Sequence, residues 1–597
     1  MKRILLLLSI FIASASAFAN VEIPADSATV KGVLPNGLTY YIRHNDYIPN
    51  RAAFHIAQKV GSIQETQGQR GLAHFLEHMA FNGTKHYPDK ALINYLETIG
   101  VKFGANLNAY TSVDETVYMI TDVPTERTST IDSCLLILRD WSDGILLEAE
   151  AIDKERGVIE EEWRTRNNPI LRQIEDNAPV IYAGDKYADC MPIGNMDVVR
   201  NCPYDTLRSY YNTWYRPDLQ GIVVVGDIDV KRTEEKIKEL FANAKVPEGA
   251  PERVYYPVSE YKEPCIVISA DAETPFTLLT YSQKVDDIPD SLKSTEEGLK
   301  QAFIRDVVAT MLSDRLSDVM KEAEPPFVGA NAYYGDFLLS GKQKCFEIGA
   351  QVSNAGAEVA FTRLMEEVER MRRYGFTQDE LERAKKSYLA LLEQIYNHRD
   401  QHKNDYFVST CIDNFLNNEA MPSDETTFNV SKKIASQVTI ADVNAWVNSW
   451  NTNNVFIWFA GSSLEKLPSK EYVKNELMAL PNKEIKEYED VELPEAIILD
   501  SQLPTKGKIL KKRAIKNGAI EYKLSNGVEV YFKQTDFKDD EILLSAKSFG
   551  GAILLDSTDY VNARFADELY AEGGIGTMNK VQLDKFLSDK RTSLDAS

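Results

Sequence analysis

The opening of the chain recurs near its end, and that recurrence constrains the fold more than any other feature. Leu34-Pro35-Asn36-Gly37-Leu38 is echoed by Leu524-Ser525-Asn526-Gly527-Val528, an offset of 490 residues (524 − 34). At the same offset, without a gap, Ala73-His74-Phe75-Leu76-Glu77-His78 falls on Ala563-Arg564-Phe565-Ala566-Asp567-Glu568. The second copy keeps the flanking Ala and Phe and loses both histidines, so it reads as the start of a duplicated domain. It has only about 80 residues before the sequence stops, too few to complete a sheet and bury its helices, and a truncated form of a longer, two-half protein is expected.

A chain of 597 residues needs several domains. Short β-branched and aromatic runs alternate with longer helical patterns, which makes the class mixed α and β. Leu38 to Ile42 reads as a strand after the Pro35-Asn36-Gly37 corner, and Ile222 to Val225 as a buried strand followed by a helix from Lys231 to Phe241. Thr377-x-x-Glu380 is a capping box that opens a helix running through Leu391. Pro-rich, charged Val246 to Pro264 and the Lys/Glu/Pro-rich stretch Pro481 to Asn517 read as linkers. The expected fold is α+β, built of repeated αβ domains, two complete and a third started. A first αβ domain is expected over 20–250, a second over 263–480, a linker over 481–518, and an incomplete third domain without the histidine motif over 519–597.

Composition narrows the function classes. Hydrophobic residues at 44% and charged residues at 26% suit a soluble globular protein. A net charge of −23 argues against a nucleic-acid partner, which needs a dense basic face. Lys2 and Arg3 precede an apolar run from Ile4 to Ala13, and Ala17-Phe18-Ala19 supplies a small-x-small cleavage pattern. Residues 1–19 are therefore expected to be a signal peptide cut before Asn20, implying export to a periplasm or beyond. That run is shorter than the about 20 residues a bilayer requires, and no transmembrane segment is expected elsewhere. The six cysteines form no metal-binding spacing; Cys190 and Cys202 flank a loop-like segment where an exported chain could form a disulfide.

His74-Phe75-Leu76-Glu77-His78 lies in a run of good helix formers. Positions i and i+4 stack on one helix face, so both imidazoles can reach one ion. Glu77 is placed to contact a water on that ion and act as general base, and zinc suits the donor set. With 7 histidines in 597 residues, a chance H-x-x-E-H arises on the order of once per hundred such chains, so the motif outweighs coincidence. His398 and His402 share the i, i+4 spacing, but their neighbours are polar and no glutamate accompanies them, so that pair reads as a solvated helix end. A catalytic zinc also wants a third protein ligand. In Glu155-Arg156-Gly157-Val158-Ile159-Glu160-Glu161-Glu162-Trp163, a helical wheel clusters Ile152, Ile159 and Trp163 on the buried face. Glu155 and Glu162 fall between Val158 and Ile159 inside that arc, whereas Glu160 and Glu161 point to solvent. The wheel leaves Glu155 and Glu162 as candidates and does not choose between them.

These residues resemble the insulinase/pitrilysin peptidases, which include the mitochondrial processing peptidases. The resemblance rests on Gly71 to Phe81 with its H-x-x-E-H, Gly83-Thr84-Lys85, Tyr87-Pro88, Asn108-Ala109-Tyr110-Thr111, Glu115-Thr116-Val117-Tyr118, and Glu155-Arg156-Gly157-Val158-Ile159 up to Glu162. It implies a mitochondrial-processing-peptidase-like metallohydrolase fold and one zinc ion per chain, held by His74, His78 and Glu162, with Glu77 catalytic. It further implies a supporting role for Glu155, a substrate peptide added as a strand along Asn108-Ala109-Tyr110, and Phe81 lining a pocket. His78 and Glu162 are 84 residues apart (162 − 78), somewhat more than the family usually shows, so a short insertion is implied. Full-length relatives close two similar halves around a chamber, so a second half or partner subunit is expected.

The leading functional expectation is a zinc metalloendopeptidase. A zinc-binding but non-catalytic peptide-binding or assembly subunit, or a fragment inactive without a second half, is the alternative. A small-molecule zinc hydrolase or lyase is a third reading, disfavoured because such enzymes do not require a duplicated half.

Overall fold

The computed structural model describes residues 21–166, 168–536, 541–551, 554–563, 565–590 and 592. The signal-peptide reading and Arg564 lie outside these described residues. The chain divides into two compact units, Met1–Tyr488 and Glu489–Ser597.

The first unit contains two sheets. One has strands β1 (Thr29–Val33), β2 (Thr39–His44), β3 (Arg51–Gln58), β4 (Leu107–Thr111), β5 (Thr116–Pro124) and β6 (Gln220–Gly226), in the order β1-β2-β6-β3-β5-β4. β6 reads Gln-Gly-Ile-Val-Val-Val-Gly and is buried throughout, as a β-branched run covered on both faces must be. It pairs in parallel with β2 and antiparallel with β3. One face of this sheet packs on the main core through Phe54, Ile56 and Ile222. On the other face Ala53, Val223 and Val225 meet Val408 and Phe415 of the helix Asn404–Asn417. β4 bonds only to β5 and forms an edge of the sheet.

The second sheet repeats the plan with β7 (Cys265–Ala270), β8 (Leu278–Val285), β9 (Phe327–Phe337), β10 (Ser340–Val352) and β11 (Val455–Gly461), in the order β7-β11-β8-β10-β9. Its fully buried strand is β11, Val-Phe-Ile-Trp-Phe-Ala-Gly. The Thr377 capping box is present and starts the helix Gln378–Asn397. The intervening stretch 246–264 has no regular structure, yet it is pinned rather than loose. Arg253 donates to Lys59 O at 2.9 Å and Tyr261 OH to Ile181 O at 2.6 Å.

In the second unit β12 (Ile509–Ala514), β13 (Ile520–Leu524) and β14 (Glu529–Phe532) form an antiparallel sheet. β12 falls inside the stretch 481–518 read from composition as linker. The β13–β14 corner reproduces the β1–β2 corner bond for bond. Leu524 N donates to Val528 O at 2.9 Å as Leu34 N does to Leu38 O at 2.8 Å, and Gly527 and Gly37 have φ of 88° and 93°. That positive φ explains why glycine survives in both copies of the repeat. The apolar residues of β14 are exposed, whereas their counterparts Tyr40, Tyr41 and Ile42 are buried.

One question the sequence left open is answered and one expectation is corrected. Cys190 and Cys202 are both free thiols. They sit in separate environments, Cys190 Sγ against Tyr187 O and Cys202 Sγ against the Arg156 guanidinium. His402 is not at a solvated helix end; it stacks on Tyr406 at 3.8 Å and its Nε2 lies 2.9 Å from Asp424 Oδ2. Among the described residues no helix is long and apolar enough to cross a membrane.

Candidate metal centre

The H-x-x-E-H residues lie on a helix, Leu72–Met79, anchored by buried Leu72, Phe75, Leu76 and Met79. Its N-terminus is set by two features absent from the motif. Gly71 takes φ 99°, and Gly194 packs so closely against it that a Cβ on Gly194 would lie 2.1 Å from Gly71 Cα. Glu65, 0% exposed, accepts hydrogen bonds from Gly71 N at 3.0 Å and Ala73 N at 2.7 Å, closing the first turn. Burial pushes the Glu65 carboxyl up to about 8, against the lowering pull of those backbone donors, Arg70 and Lys186. At its other end Trp141 Nε1 donates to Ala80 O at 3.0 Å. The i, i+4 spacing brings the His74 and His78 rings edge to face at 4.7 Å.

The glutamates come from a second helix, Ala149–Arg166. Ile152 and Ile159 are buried and Trp163 packs partly against the same core, as the wheel requires. Glu160 pairs with Arg200 at 2.7 Å and Glu161 with Arg164 at 3.2 Å, both away from the histidines. Val158 is a correction: it is 50% exposed and lies outside the apolar arc. Glu155 and Glu162 both reach His78, at opposite ring nitrogens. Glu155 Oε1 lies 2.8 Å from Nδ1, and Glu162 Oε2 lies 3.0 Å from Nε2 and 3.7 Å from His74 Nε2. Glu155 Oε2 also accepts from Asn82 Nδ2 at 2.6 Å, and Lys90 Nζ donates to Asn82 Oδ1 at 2.6 Å.

Among the described residues, one group of three or more potential ligands emerges: His74, His78 and Glu162, whose donor atoms all lie within 4.8 Å of one another. Tetrahedral zinc with bonds near 2.1 Å separates its ligand atoms by about 3.4 Å, so this set fits one ion without rearranging either helix. The protein groups themselves call for positive charge. Burial opposes a charged His78, but hydrogen bonds to Glu155 and Glu162 and the nearby Glu77 outweigh it and raise the imidazole to about 9.

Glu77 projects from the same helix toward β4, where Thr111 Oγ1 donates to its Oε2 at 2.6 Å. The register of β4 decides which backbone groups are open. Thr121 N donates to Asn106 O and Ser112 N to Glu115 O, so even-numbered residues bond to β5 and odd-numbered ones face outward. The outward groups of Leu107 are taken by Lys102 O and Gly104 N. The stretch of edge not bonded to another backbone segment is therefore Ala109 to Thr111, in which Ala109 N donates locally to Asn108 Oδ1 at 3.0 Å. Tyr110 turns its hydroxyl to Glu115 Oε1 at 3.0 Å. Phe81 is 7% exposed and packs edge-on against Phe103 and Trp141.

Sequence reasoning missed Glu65 and Asn82, and it named Thr111 without giving it a role. Asn82 lies just past the end of the histidine helix, where its Nδ2 also reaches His78 O at 3.3 Å, and helical periodicity gives no signal for it. Glu65 lies in a loop and carries no periodic signal.

An H-x-x-E-H helix meeting a glutamate from a second helix, beside the edge of a mixed sheet, defines the inverted-zincin class of metal site. Residues 44–177 match the family described as Insulinase (Peptidase family M16), and residues 201–388 match Peptidase M16 inactive domain. The chain belongs to this insulinase family. It is 28% identical over 577 residues to a "Zinc protease PQQL-like" of Arabidopsis thaliana, covering 94% of this chain and 56% of that one. Its fold is similar to the crystal structure of the periplasmic protease PqqL from Escherichia coli, with a TM-score of 0.73 and 24% identity over 95% of this chain and 62% of that one. The separately solved first half of the same E. coli protein superposes with a TM-score of 0.72 at 26% identity, covering 79% of this chain and 100% of that half. The chain thus spans about three fifths of the length of its longer relatives.

Proposed function

We propose that this chain carries the metal centre of an exported zinc endopeptidase that hydrolyses peptides or unfolded polypeptides. The observation that carries the reading is the convergence of His74, His78 and Glu162 on one point, with Glu77 beside them at the open edge of β4. The names of the relatives, zinc proteases, support it, and the periplasmic E. coli neighbour supports export.

Zinc held by His74, His78 and Glu162 supplies Lewis acidity, polarising the scissile carbonyl and making water easier to deprotonate. Glu155 and Asn82 orient the His78 ring. Glu77 takes the proton of the attacking water and delivers it to the leaving amine. The backbone of Ala109 pairs with the substrate main chain as an added strand, which recognises any extended peptide, while Asn108 and Tyr110 contact its side chains. Phe103, exposed and backed by Phe81, forms an apolar wall. A second αβ half, in the same polypeptide or in a partner, encloses the substrate.

The test is digestion of an unstructured peptide by the purified chain with zinc or with a chelator. Cleavage that stops with chelator, and that is lost in Glu77→Gln while bound zinc is kept, is the expected result. A zinc-loaded chain that binds peptide and never cuts it, even with a second half supplied, would instead be a binding module.

A further inference from the structure

We propose that Thr111 is a positioning residue for Glu77, fixing the base carboxylate to the strand that receives substrate. The inference deepens the peptidase reading and rests on it. A glutamate side chain has three rotatable bonds, and ordering it costs up to about 1.5–2 kcal/mol of conformational freedom. Something rigid must hold Glu77 if one oxygen is to face the attacking water reproducibly. The hydroxyl of Thr111 lies 2.6 Å from Glu77 Oε2, the length of a strong hydrogen bond from a hydroxyl to a carboxylate.

Three features make Thr111 a stiff donor. It is β-branched, so its χ1 is restricted. It pairs with Thr116 of β5 at the end of the β4 ladder. The Thr116 hydroxyl gives its hydrogen to Val60 O at 2.9 Å and sits 3.5 Å from Thr111 Oγ1, so it does not compete for the acceptor Glu77 provides. Along β4 the side chains of Leu107, Ala109 and Thr111 share one face and those of Asn108 and Tyr110 the other. Thr111 therefore touches the base with its side chain while its own backbone lies on the open edge two residues from Ala109. A peptide added to that edge stiffens the strand that orients the base, so binding and proton transfer share one element. Misplacing a reacting group by about 1 Å can cost on the order of 100-fold in rate. The Thr111 hydroxyl gives its hydrogen to the base and not to one of the three candidate ligands, so the effect falls on turnover and not on the metal.

The test compares Thr111→Val, which keeps the shape and removes the hydroxyl, with Thr111→Ser, which keeps the hydroxyl. Both are made in the full chain. Metal content, kcat and KM on an unstructured peptide, and a crystal structure of each variant are measured. The expected result for the valine variant is kcat lowered about 10–100-fold, KM within about twofold, unchanged zinc, and the Glu77 carboxylate displaced. The serine variant restores both the rate and the placement. A Glu77 carboxylate that stays in place in the valine variant overturns the proposal, and so does a serine variant as impaired as valine. If the wild-type chain cleaves nothing even with a second half supplied, the peptidase reading fails, and the two crystal structures still decide whether Thr111 holds Glu77.

Discussion

His78 presents Nδ1 to Oε1 of Glu155 at 2.8 Å, on the side of the ring away from the other ligands. A carboxylate there keeps the proton on Nδ1 and leaves Nε2 to bind metal, while Asn82 holds the carboxylate in turn. Glu155→Ala is expected to weaken zinc affinity about 10–100-fold without abolishing it. Competition with a chromophoric chelator measures this, and unchanged affinity would remove Glu155 from the centre.

Replacing Glu162 has a larger consequence, because it removes an anionic donor rather than a support. Glu162→Gln is expected to leave a two-histidine site that loses zinc to mild chelation, with peptide cleavage lost alongside. Glu160→Gln and Glu161→Gln, whose side chains face Arg200 and Arg164, are expected to keep both properties. Metal analysis after dialysis separates the three, and zinc retained by the Glu162 variant would mean the third ligand lies elsewhere.

The contrast among these glutamates shows how much of the site the sequence carried. Helical spacing sufficed to pair His74 with His78 and to set Glu155 and Glu162 together on one face of their own helix, because each relation is local to one helix. The wheel could not rank the two glutamates for a physical reason: both face His78, and what separates them, the ring nitrogen each meets and the approach of Glu162 to His74, is a relation between helices. Glu65 and Thr111 were not legible as helix partners, since a loop and a strand reach the histidine helix only through tertiary packing. Val158 was misplaced because it sits where an apolar arc meets solvent. β12 hid in a linker-like composition, Ile-Leu-Lys-Lys-Arg-Ala, because an exposed edge strand is held by backbone pairing and tolerates lysines. The corner at Gly37 and Gly527 was legible in both copies, since the turn demands a residue tolerant of positive φ.

Two glycines near the centre should respond to alanine in opposite ways. A methyl at Gly194 would meet the backbone of Gly71 at 2.1 Å, in a residue whose φ is 71°. Gly194→Ala is expected to cost at least about 2 kcal/mol and to loosen zinc by shifting the start of the histidine helix. Gly157 lies within the glutamate helix with nothing within 4 Å of its would-be Cβ. Gly157→Ala is expected to stabilise by roughly 0.5–1 kcal/mol with zinc affinity unchanged. Thermal unfolding of both variants checks the pair, and equal effects would mean that the Gly71–Gly194 contact is not tight.

Glu65 supplies a pH dependence that metal binding does not complicate, because it meets the backbone of the histidine helix rather than a ligand. Burial raises its carboxyl to about 8 from an ordinary 4.5. Between those values the folded chain holds a proton that the unfolded chain releases. The stabilisation is therefore complete below about pH 4.5 and is lost as pH rises through 8, at up to about 1.4 kcal/mol per pH unit. Glu65→Gln stays neutral and keeps one acceptor oxygen where the carboxylate offers Oε2 to Gly71 N and Oε1 to Ala73 N, so it gives up one of those bonds at every pH but escapes this pH-dependent loss. Wild type should therefore lose stability relative to the variant from pH 5 to pH 8, on top of a pH-independent difference from the lost bond. Urea unfolding of both proteins in chelator across that range measures the difference. A gap that stays constant with pH would mean that Glu65 is ionised throughout, with the helix N-terminus holding its charge against burial.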